Sequence, residues 1–281
     1  MFVCNDESYN TSALQELDHR LNKYYNGKSS VEYYDAAQNA NLEWGPNSSH
    51  QILLNLIKEG DSIIDLGCGT GVVAQQARSK KIRYTGIDWS STAIDSAKSK
   101  FSYQTVSEIE ARFVRGSIYE TGFESETFDV VTSMFVIEHL TRPENFIDEA
   151  MRLVRKGGYI FILCPDYRRF GRMPSIPLGG SDSLKQKVSK LQITKVFNHL
   201  MLAMYWKIKT KLIGPWAIWT EPACFNGMWR PDADAVYLAS RKEIIKKITE
   251  AGFTDKTKYW MAQSSAKPNK IDCLIVASKK I

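Results

Sequence analysis

The chain has 281 residues and a mass of 32.0 kDa, with 43% hydrophobic and 24% charged side chains. This composition is typical of a folded globular protein with enough apolar material for a core, and it excludes an intrinsically disordered chain. The sequence has no apolar run near the roughly 20 residues of a membrane span, and MFVCNDESYN lacks the basic start and apolar core of a signal peptide. We therefore expect a single cytoplasmic domain over residues 1–281.

The five cysteines and the net charge of +6 point to no metal site, disulfide framework or nucleic-acid surface. The cysteines are scattered, without a C-x-x-C pair or a histidine at ligand spacing, so we expect no bound metal. Residues 184–213 hold seven lysines and no acid, whereas the rest of the chain has 30 basic and 31 acidic residues. Because these lysines are mixed with bulky apolar residues and no arginine, we expect no nucleic-acid partner.

From about residue 50, short β-rich runs alternate with helical segments, which predicts an α/β fold with a parallel sheet between helices. The predicted strands are 62–66, 82–87, 111–116, 128–134 and 159–164, and the predicted helices are 71–79, 91–101 and 143–155. Ser90 or Ser91 is expected to cap the second helix, and Gly157-Gly158 to end the third. The remaining predictions are a helix over 240–253 that stops at Gly252 and strands at 257–261 and 272–278.

Two regions fall outside this alternation. Residues 1–50 are predicted to form a helical cover whose aromatic side chains pack in the core, with Trp44 as the candidate exception. Residues 165–236 are too long for a linker and rich in Trp, Met and Pro, so we interpret them as an inserted substrate lid. The domain is thus divided into the cover, a ligand-binding core over 51–164, the lid, and a final helix with two strands over 237–281.

The stretch DLGCGTG, residues 65–71, lies between a predicted strand and a predicted helix, an arrangement that binds nucleotides. A dinucleotide fingerprint starting at Gly67 would need a third glycine at Val72, and the chain has no G-x-x-x-x-G-K-[ST] run for a triphosphate. Asp65 would repel a pyrophosphate but suits an ammonium group. Asp88, at the end of the next strand, could accept the hydroxyls of a ribose.

Four segments, IIDLGCGTG, GIDWS, FDVVTSMFVIEHL and EAMRLVRKGGYIFILCP, resemble in order and spacing the class I S-adenosylmethionine-dependent methyltransferases. The resemblance covers roughly residues 50–164 closely, and EIIKKITEAGF is similar to the helix before the family's last two strands. It implies a Rossmann-like, doubly wound, seven-stranded sheet, mostly parallel, with the last strand antiparallel. It also implies S-adenosylmethionine as cofactor and methyl transfer to oxygen or nitrogen of a small-molecule or lipid-like acceptor.

The resemblance further implies which residues hold the cofactor's methionine end. Asp65 and the backbone of Gly67 and Gly69 would bind it. The rest of the loop would complete this part of the site, through Cys68, Thr70 and Gly71.

The nucleoside end of the cofactor is expected farther along the sheet. Asp88 would take the ribose hydroxyls, and Trp89 would lie against the adenine. Many relatives carry an aspartate for the adenine amino group where this chain has Ser117, so that contact is expected to be weaker or to pass to Ile118. The carbonyl of Met134 would face the cofactor's amino group.

The sequence assigns no catalytic residue, because displacement at a carbon activated by a sulfonium group chiefly needs alignment and exclusion of water. His139, in VIEHL, is a candidate general base, although a packed structural histidine is the interpretation we prefer. Glu138 has the same ambiguity. Residues 164–166, CPD, lie where α/β folds place substrates, or they simply form a strand exit.

Within the insertion, residues 191–219 place apolar side chains at helical spacing, at positions 193, 197, 200, 204 and 208. The preferred interpretation is that this stripe packs on the domain as part of the lid. The alternative is peripheral contact of residues 184–219 with a membrane surface, through an apolar face and lysines.

Two other functions remain open at the level of sequence. One is an NAD-type oxidoreductase, which Val72 and Asp65 disfavour. The other alternative function is that of a catalytically silent adaptor that binds adenosylmethionine.

Overall fold

The structure, a computed structural model, describes residues 2–3, 11–27, 48–102, 110–168, 188–226, 233–264 and 272–279. Its strands are β1 (Phe2–Val3), β2 (Ser62–Leu66), β3 (Arg83–Asp88), β4 (Glu110–Arg115), β5 (Phe128–Met134), β6 (Val154–Pro165), β7 (Ile218–Trp219), β8 (Thr254–Asp255) and β9 (Asp272–Ser278). Its helices are α1 (Thr11–Tyr25), α2 (Ser49–Leu56), α3 (Val72–Gln76), α4 (Ser91–Ser102), α5 (Pro143–Leu153), α6 (Ile193–Leu212), α7 (Arg241–Glu250) and α8 (Thr257–Ala262).

One seven-stranded sheet forms the centre of the fold, in the order β4-β3-β2-β5-β6-β9-β8. Strands β2 to β6 pair in parallel, and β9 runs antiparallel to both β6 and β8. Strand β2 lies inside the sheet between β3 and β5 and is buried along its whole length, as expected for a parallel strand covered on both faces. The predicted mostly parallel sheet with its last strand antiparallel is confirmed.

Helices cover both faces of the sheet. The apolar side chains of α1, α5 and α7 pack in one core cluster, with Leu17, Phe146 and Ile248 among its buried members. Those of α2, α3 and α4 pack in the cluster on the other face, around Ile52 and Ile94. This two-sided packing is the doubly wound arrangement that the sequence predicted. None of the described helices is both long and apolar enough to cross a membrane.

The third predicted helix ends earlier than expected. Helix α5 stops at Leu153, and β6 begins at the next residue, so the prediction that Gly157-Gly158 end the helix is wrong. The glycines lie inside β6 where its register against β5 shifts, with Phe128 opposite Val154 but Val130 opposite Tyr159. A Cβ on Gly158 would approach the Asp129 carbonyl oxygen to 2.7 Å, so this irregularity requires glycine.

The strand predicted at 257–261 is a helix, α8. The preceding β8 has only two residues, after which the Asp255 carboxylate accepts the Thr257 backbone N–H at 2.9 Å. Trp260 then packs against Tyr159 of the sheet, with the ring centroids 5.8 Å apart. The aromatic and β-branched residues that favoured a strand therefore pack from a helix, because tertiary contacts override their local propensity.

Helix α1 joins the carboxyl edge of the sheet through several contacts. The Thr141 hydroxyl donates to the Asp18 carboxylate at 2.5 Å, and the Ser90 hydroxyl donates to the Tyr25 carbonyl at 3.0 Å. Ser90 also accepts the Ala93 N–H at 3.2 Å, so it is the predicted cap of α4. The predictions for Tyr33, Tyr34 and Trp44 fall outside the described residues.

The apolar stripe of the insertion forms one side of α6, and that side faces solvent. The side chains of Ile193, Phe197, Leu200, Met204 and Ile208 are all exposed. The preferred interpretation, in which this stripe packs on the domain, is therefore wrong. The lid function of residues 165–236 stays a prediction.

Candidate functional site

The glycine loop leaves the carboxyl end of the inner strand β2 and turns into α3. Gly67, Gly69 and Gly71 all have positive φ, at 80°, 51° and 81°. A Cβ on Gly67 would lie 2.6 Å from the Val136 methyl groups, so the turn after β5 packs directly on the bare backbone. All three positions therefore favour glycine by conformation, and at Gly67 and Gly71 a side chain would also meet its neighbours, Val136 and Phe113.

Asp88 ends β3 next to this loop. Its carboxylate accepts the Gly69 backbone N–H at 3.0 Å and the Ser90 backbone N–H at 2.9 Å. The side chain is buried, and burial raises the pKa of this carboxyl despite the hydrogen bonds. A carboxylate has about four acceptor sites, so these two bonds leave capacity for the hydroxyls of a sugar.

Asp65 lies deeper than the loop that follows it. Its carboxylate accepts the Tyr84 hydroxyl at 2.7 Å, and the residue is only 2% exposed. Burial raises the pKa of Asp65 to about 7, the Tyr84 hydrogen bond acts against this, and the neighbouring charge of Asp88 adds to it. A cation beside Asp65 would favour the ionised carboxylate and reverse part of this rise.

Two other loop side chains point into the protein. Cys68 is 6% exposed and packs on Gly86, where a Cβ would approach its Sγ to 2.8 Å. Burial raises the pKa of its thiol well above the usual value, so a thiolate is disfavoured. Thr70 is also buried. If these residues contact a ligand, their backbone atoms are the available groups.

The remaining predicted ligand residues follow the same edge of the sheet, because the carboxyl ends of parallel strands lie together. Trp89 is half-buried beside Tyr25, with ring centroids 5.9 Å apart. Ser117 is exposed and its hydroxyl accepts the Tyr119 N–H at 3.2 Å, whereas Ile118 is buried in the core.

Met134 ends β5 and is followed by strained backbone. Phe135 has φ of 54°, a left-handed conformation that is costly for an aromatic residue, and its N–H donates to the Leu163 carbonyl at 2.7 Å. Such strain is common at ligand sites. Here it turns the chain so that Val136 packs on Gly67.

A polar cluster lies just beyond this turn, where three segments meet. His139 Nδ1 is 3.4 Å from Asp234 Oδ2, and the Tyr25 hydroxyl donates to the same carboxylate oxygen. His139 Nε2 is 3.8 Å from Glu138 Oε1. Asp234 and Glu138 are buried, while the His139 side chain keeps 13% exposure. The histidine thus has a carboxylate near each ring nitrogen and retains access to solvent.

The backbone around this cluster is held by the end of the insertion. The N–H groups of Val236 and Tyr237 donate to the Glu138 carbonyl at 2.8 and 2.9 Å. By contrast, Cys164 is fully buried, and the Asp166 carboxylate accepts the Arg168 N–H at 3.2 Å. The contacts at 164–166 are those of a strand exit.

Sequence reasoning missed the partners that other segments supply. Tyr84 lies within a predicted strand, and it pairs in parallel register with Ile63, from where its hydroxyl reaches the Asp65 carboxylate. Asp234 lies in an insertion without a motif, and Tyr25 lies among several N-terminal tyrosines. No local pattern distinguishes either residue, because their proximity to His139 arises only in the folded chain.

Comparison with known families places this site in a defined segment. Residues 64–162 match the family model described as "Methyltransferase domain". The ubiquinone biosynthesis O-methyltransferase of Nitrosomonas europaea is 30% identical over 144 residues, covering 47% of this chain and 60% of that protein. The mitochondrial enzyme of the same name from Schizosaccharomyces pombe is 30% identical over 119 residues, covering 42% and 43%. The chain thus spans about half the length of these relatives.

Solved structures share the fold over most of the chain. A chain from the complex between the Haloferax volcanii Trm112 methyltransferase activator and a candidate methyltransferase covers 89% of this chain and 96% of its own, with TM-score 0.53 and 14% identity. A candidate S-adenosylmethionine-dependent methyltransferase from Listeria monocytogenes covers 86% and 100%, with TM-score 0.50 and 15% identity. Residues 64–162 thus match a methyltransferase domain, and the chain shares the Rossmann-like methyltransferase fold of these structures.

Proposed function

We propose that this chain is an S-adenosylmethionine-dependent methyltransferase that acts on a small-molecule or lipid-like acceptor. The observation that carries the proposal is the junction of the glycine loop with Asp88. A buried carboxylate held by the Gly69 and Ser90 N–H groups lies beside a turn that side chains cannot occupy. This combination suits a ribose next to a closely approaching ligand, and a buried acid there opposes a phosphate.

Different residues at the carboxyl edge of the sheet would then bind different parts of the cofactor. Asp65 and the backbone from Gly67 to Gly71 would hold its methionine end, and Asp88 its ribose. The adenine would lie near Trp89 and residues 117–118, and the Met134 carbonyl would face the amino group. When bound, the cofactor supplies a methyl group on a sulfonium leaving group, so the chain's own task is alignment and exclusion of water.

Oxygen is the acceptor atom we propose, since the curated relatives are named O-methyltransferases. A hydroxyl acceptor loses a proton as its bond to carbon forms, so a nearby base accelerates the reaction. We assign that role to His139. Its Nδ1 lies 3.4 Å from Asp234 Oδ2, and this carboxylate would orient the ring and stabilise the imidazolium. Asp234 is then a positioning residue.

Methyl turnover tests the proposal. The purified chain is incubated with S-adenosylmethionine labelled in the methyl group and with panels of catechols, quinol precursors, amines and sugars. Label transfer to a phenolic hydroxyl is expected. Transfer to amines alone would contradict the oxygen acceptor, and cofactor binding without any transfer would instead favour a silent adaptor. Binding of NAD in place of adenosylmethionine would favour the oxidoreductase.

A further inference from the structure

Helix α6 carries an exposed apolar surface that lies outside the candidate cofactor site. The exposed side of α6 and the residues leading into it, Val188 to Leu212, include every exposed large hydrophobic side chain of the described chain except Tyr259. We propose that this face binds the surface of an anionic lipid bilayer, with α6 lying in the plane of the interface. The inference concerns docking and is independent of the proposed function.

The apolar side chains form a continuous face. Ile193, Phe197, Leu200, Met204 and Ile208 follow helical spacing, and their exposed fractions range from 42% to 78%. A different side of the helix packs on the domain, with Ala203 only 5% exposed and Leu202 packed against the core. The helix is therefore attached by one side and leaves bulky apolar groups in water on the other, as interfacial helices do.

Lysines lie on several sides of this helix, with Lys207 and Lys211 beside the apolar face and Lys195 on the opposite side. Lys195, Lys207 and Lys211 are exposed on α6, and Lys209 lies beside Tyr205, with its Nζ 3.2 Å from the hydroxyl. No acid occurs anywhere between residues 184 and 213. Long lysine side chains beside apolar groups can reach phosphate head groups while the apolar groups enter the acyl region. An anionic bilayer matches both features at once.

The same charge argues against a second copy of the chain as the occupant. In a two-fold symmetric contact the same patch meets itself, so the lysines of one copy would face those of the other. With no acid in this segment, that contact has like charges and no local carboxylate to offset them. Apolar contact would therefore be opposed by repulsion.

The end of α6 is fastened to the edge that carries the candidate site. The Arg168 guanidinium, three residues beyond the end of β6, donates to the Ile213 and Gly214 carbonyls at 3.3 and 2.7 Å. Arg168 Nε also lies 2.9 Å from Glu243 Oε1. Because this anchor fixes the last turn of the helix, docking of α6 would bring the carboxyl edge of the sheet close to the bilayer.

Vesicle sedimentation tests the proposal with the full chain. The protein is mixed with vesicles of phosphatidylcholine alone, or of equal parts phosphatidylcholine and phosphatidylglycerol, at low and high salt. We expect binding to the anionic vesicles that weakens at high salt, because screening shortens the reach of the lysines. The double variant K207Q/K211Q should bind about 25-fold more weakly, since each lysine near an anionic surface contributes about fivefold.

The apolar contribution is tested with F197Q/M204Q/I208Q, which should weaken binding about tenfold or more. Matched controls are K98Q/K242Q, which removes two exposed lysines elsewhere, and Y259Q. Both should bind as the unaltered chain does, and all variants should keep its melting temperature.

Three outcomes would overturn the proposal. The first is absence of binding to anionic vesicles, and the second is equal loss of binding in the α6 variants and their controls. The third is concentration-dependent dimerisation in ultracentrifugation that the α6 substitutions abolish, because a second copy would then occupy the face.

Discussion

The backbone N–H of Gly69 donates to the carboxylate of Asp88 over 3.0 Å, which couples the glycine loop to the strand beside it. The bond orients the carboxylate at the point where β3 ends, and the Ser90 N–H holds its second oxygen. Any ligand that lies along the loop must therefore meet a preorganised acid.

Replacing Gly67 by alanine should destabilise the fold more than a comparable change outside the site. The matched control is Gly60, which has φ of 85° and nothing within 4 Å of an added Cβ. Positive φ costs an alanine about 1 to 2 kcal/mol at Gly60 and at Gly67 alike. At Gly67 the added Cβ also meets the Val136 methyl groups at 2.6 Å. Urea unfolding should show about 1 to 3 kcal/mol of extra loss for Gly67→Ala. Equal losses, or no recovery with Val136→Ala added, would contradict the close packing.

The stability of the fold should depend on the ionisation of Asp65. Its pKa is raised from 3.8 to about 7, so the folded state favours the protonated form and the free energy of unfolding falls as pH rises toward 7. Between about pH 5 and pH 8, the chain should lose about 2 kcal/mol relative to Asp65→Asn. Tyr84→Phe removes the bond that stabilises the carboxylate and should move the transition to higher pH. If the free energy of unfolding varied with pH in the same way for the unaltered chain and for Asp65→Asn, the raised pKa of Asp65 would be refuted.

Cofactor binding should release a proton from Asp65 near pH 6. The positively charged methionine end would stabilise the carboxylate and lower its pKa, so affinity should rise with pH until the group is ionised. Calorimetry in two buffers of different ionisation enthalpy measures the proton count directly. Asp65→Asn should bind without this release. If the unaltered chain releases no proton, Asp65 does not attend the ammonium group.

The His139 cluster should control the chemical step and leave cofactor binding intact. His139→Gln is expected to lower kcat about a hundredfold or more, and Asp234→Asn about tenfold, with the adenosylmethionine Kd unchanged. Both variants should alter the pH dependence of kcat, whereas His19→Gln, at an exposed histidine of α1, should not. A fall in melting temperature that accounts for the lost activity, with the pH profile preserved, would mean that His139 is structural.

Much of the fold could be predicted because apolar periodicity and turn residues report on it locally. Strands β2, β5 and β9 have the predicted bounds, since each is a short buried run between polar turns. The end of α5 at Leu153 could not be predicted from Gly157 and Gly158. These glycines lie inside β6, where Gly158 allows the close approach of the Asp129 carbonyl, and they do not end the helix. The helix at 257–261 could not be predicted either, because it depends on the packing of Trp260 against Tyr159 of the sheet.

The candidate site also has one part that the sequence predicts and another that depends on packing between distant segments. The loop and Asp88 follow one another along β2 and β3, so spacing alone predicts that they meet at the sheet edge. The orientation of the Asp65 carboxylate toward Tyr84, and the contact of Asp234 with His139, depend on side-chain packing between distant segments. The exposure of the α6 stripe was equally hidden, because its periodicity is the same whether it packs on protein or faces solvent.

The most direct test of the central claim is calorimetric titration of the full chain and of Asp88→Ala with S-adenosylmethionine and its demethylated thioether. We predict one site per chain and about a tenfold or greater loss of affinity for both nucleosides in Asp88→Ala, since a buried carboxylate bonded to ribose hydroxyls contributes about 1.5 to 3 kcal/mol. Asp95→Ala, at an exposed aspartate of α4, should bind as the unaltered chain does. Absence of binding to the folded chain, or equal affinity in Asp88→Ala, would contradict the account.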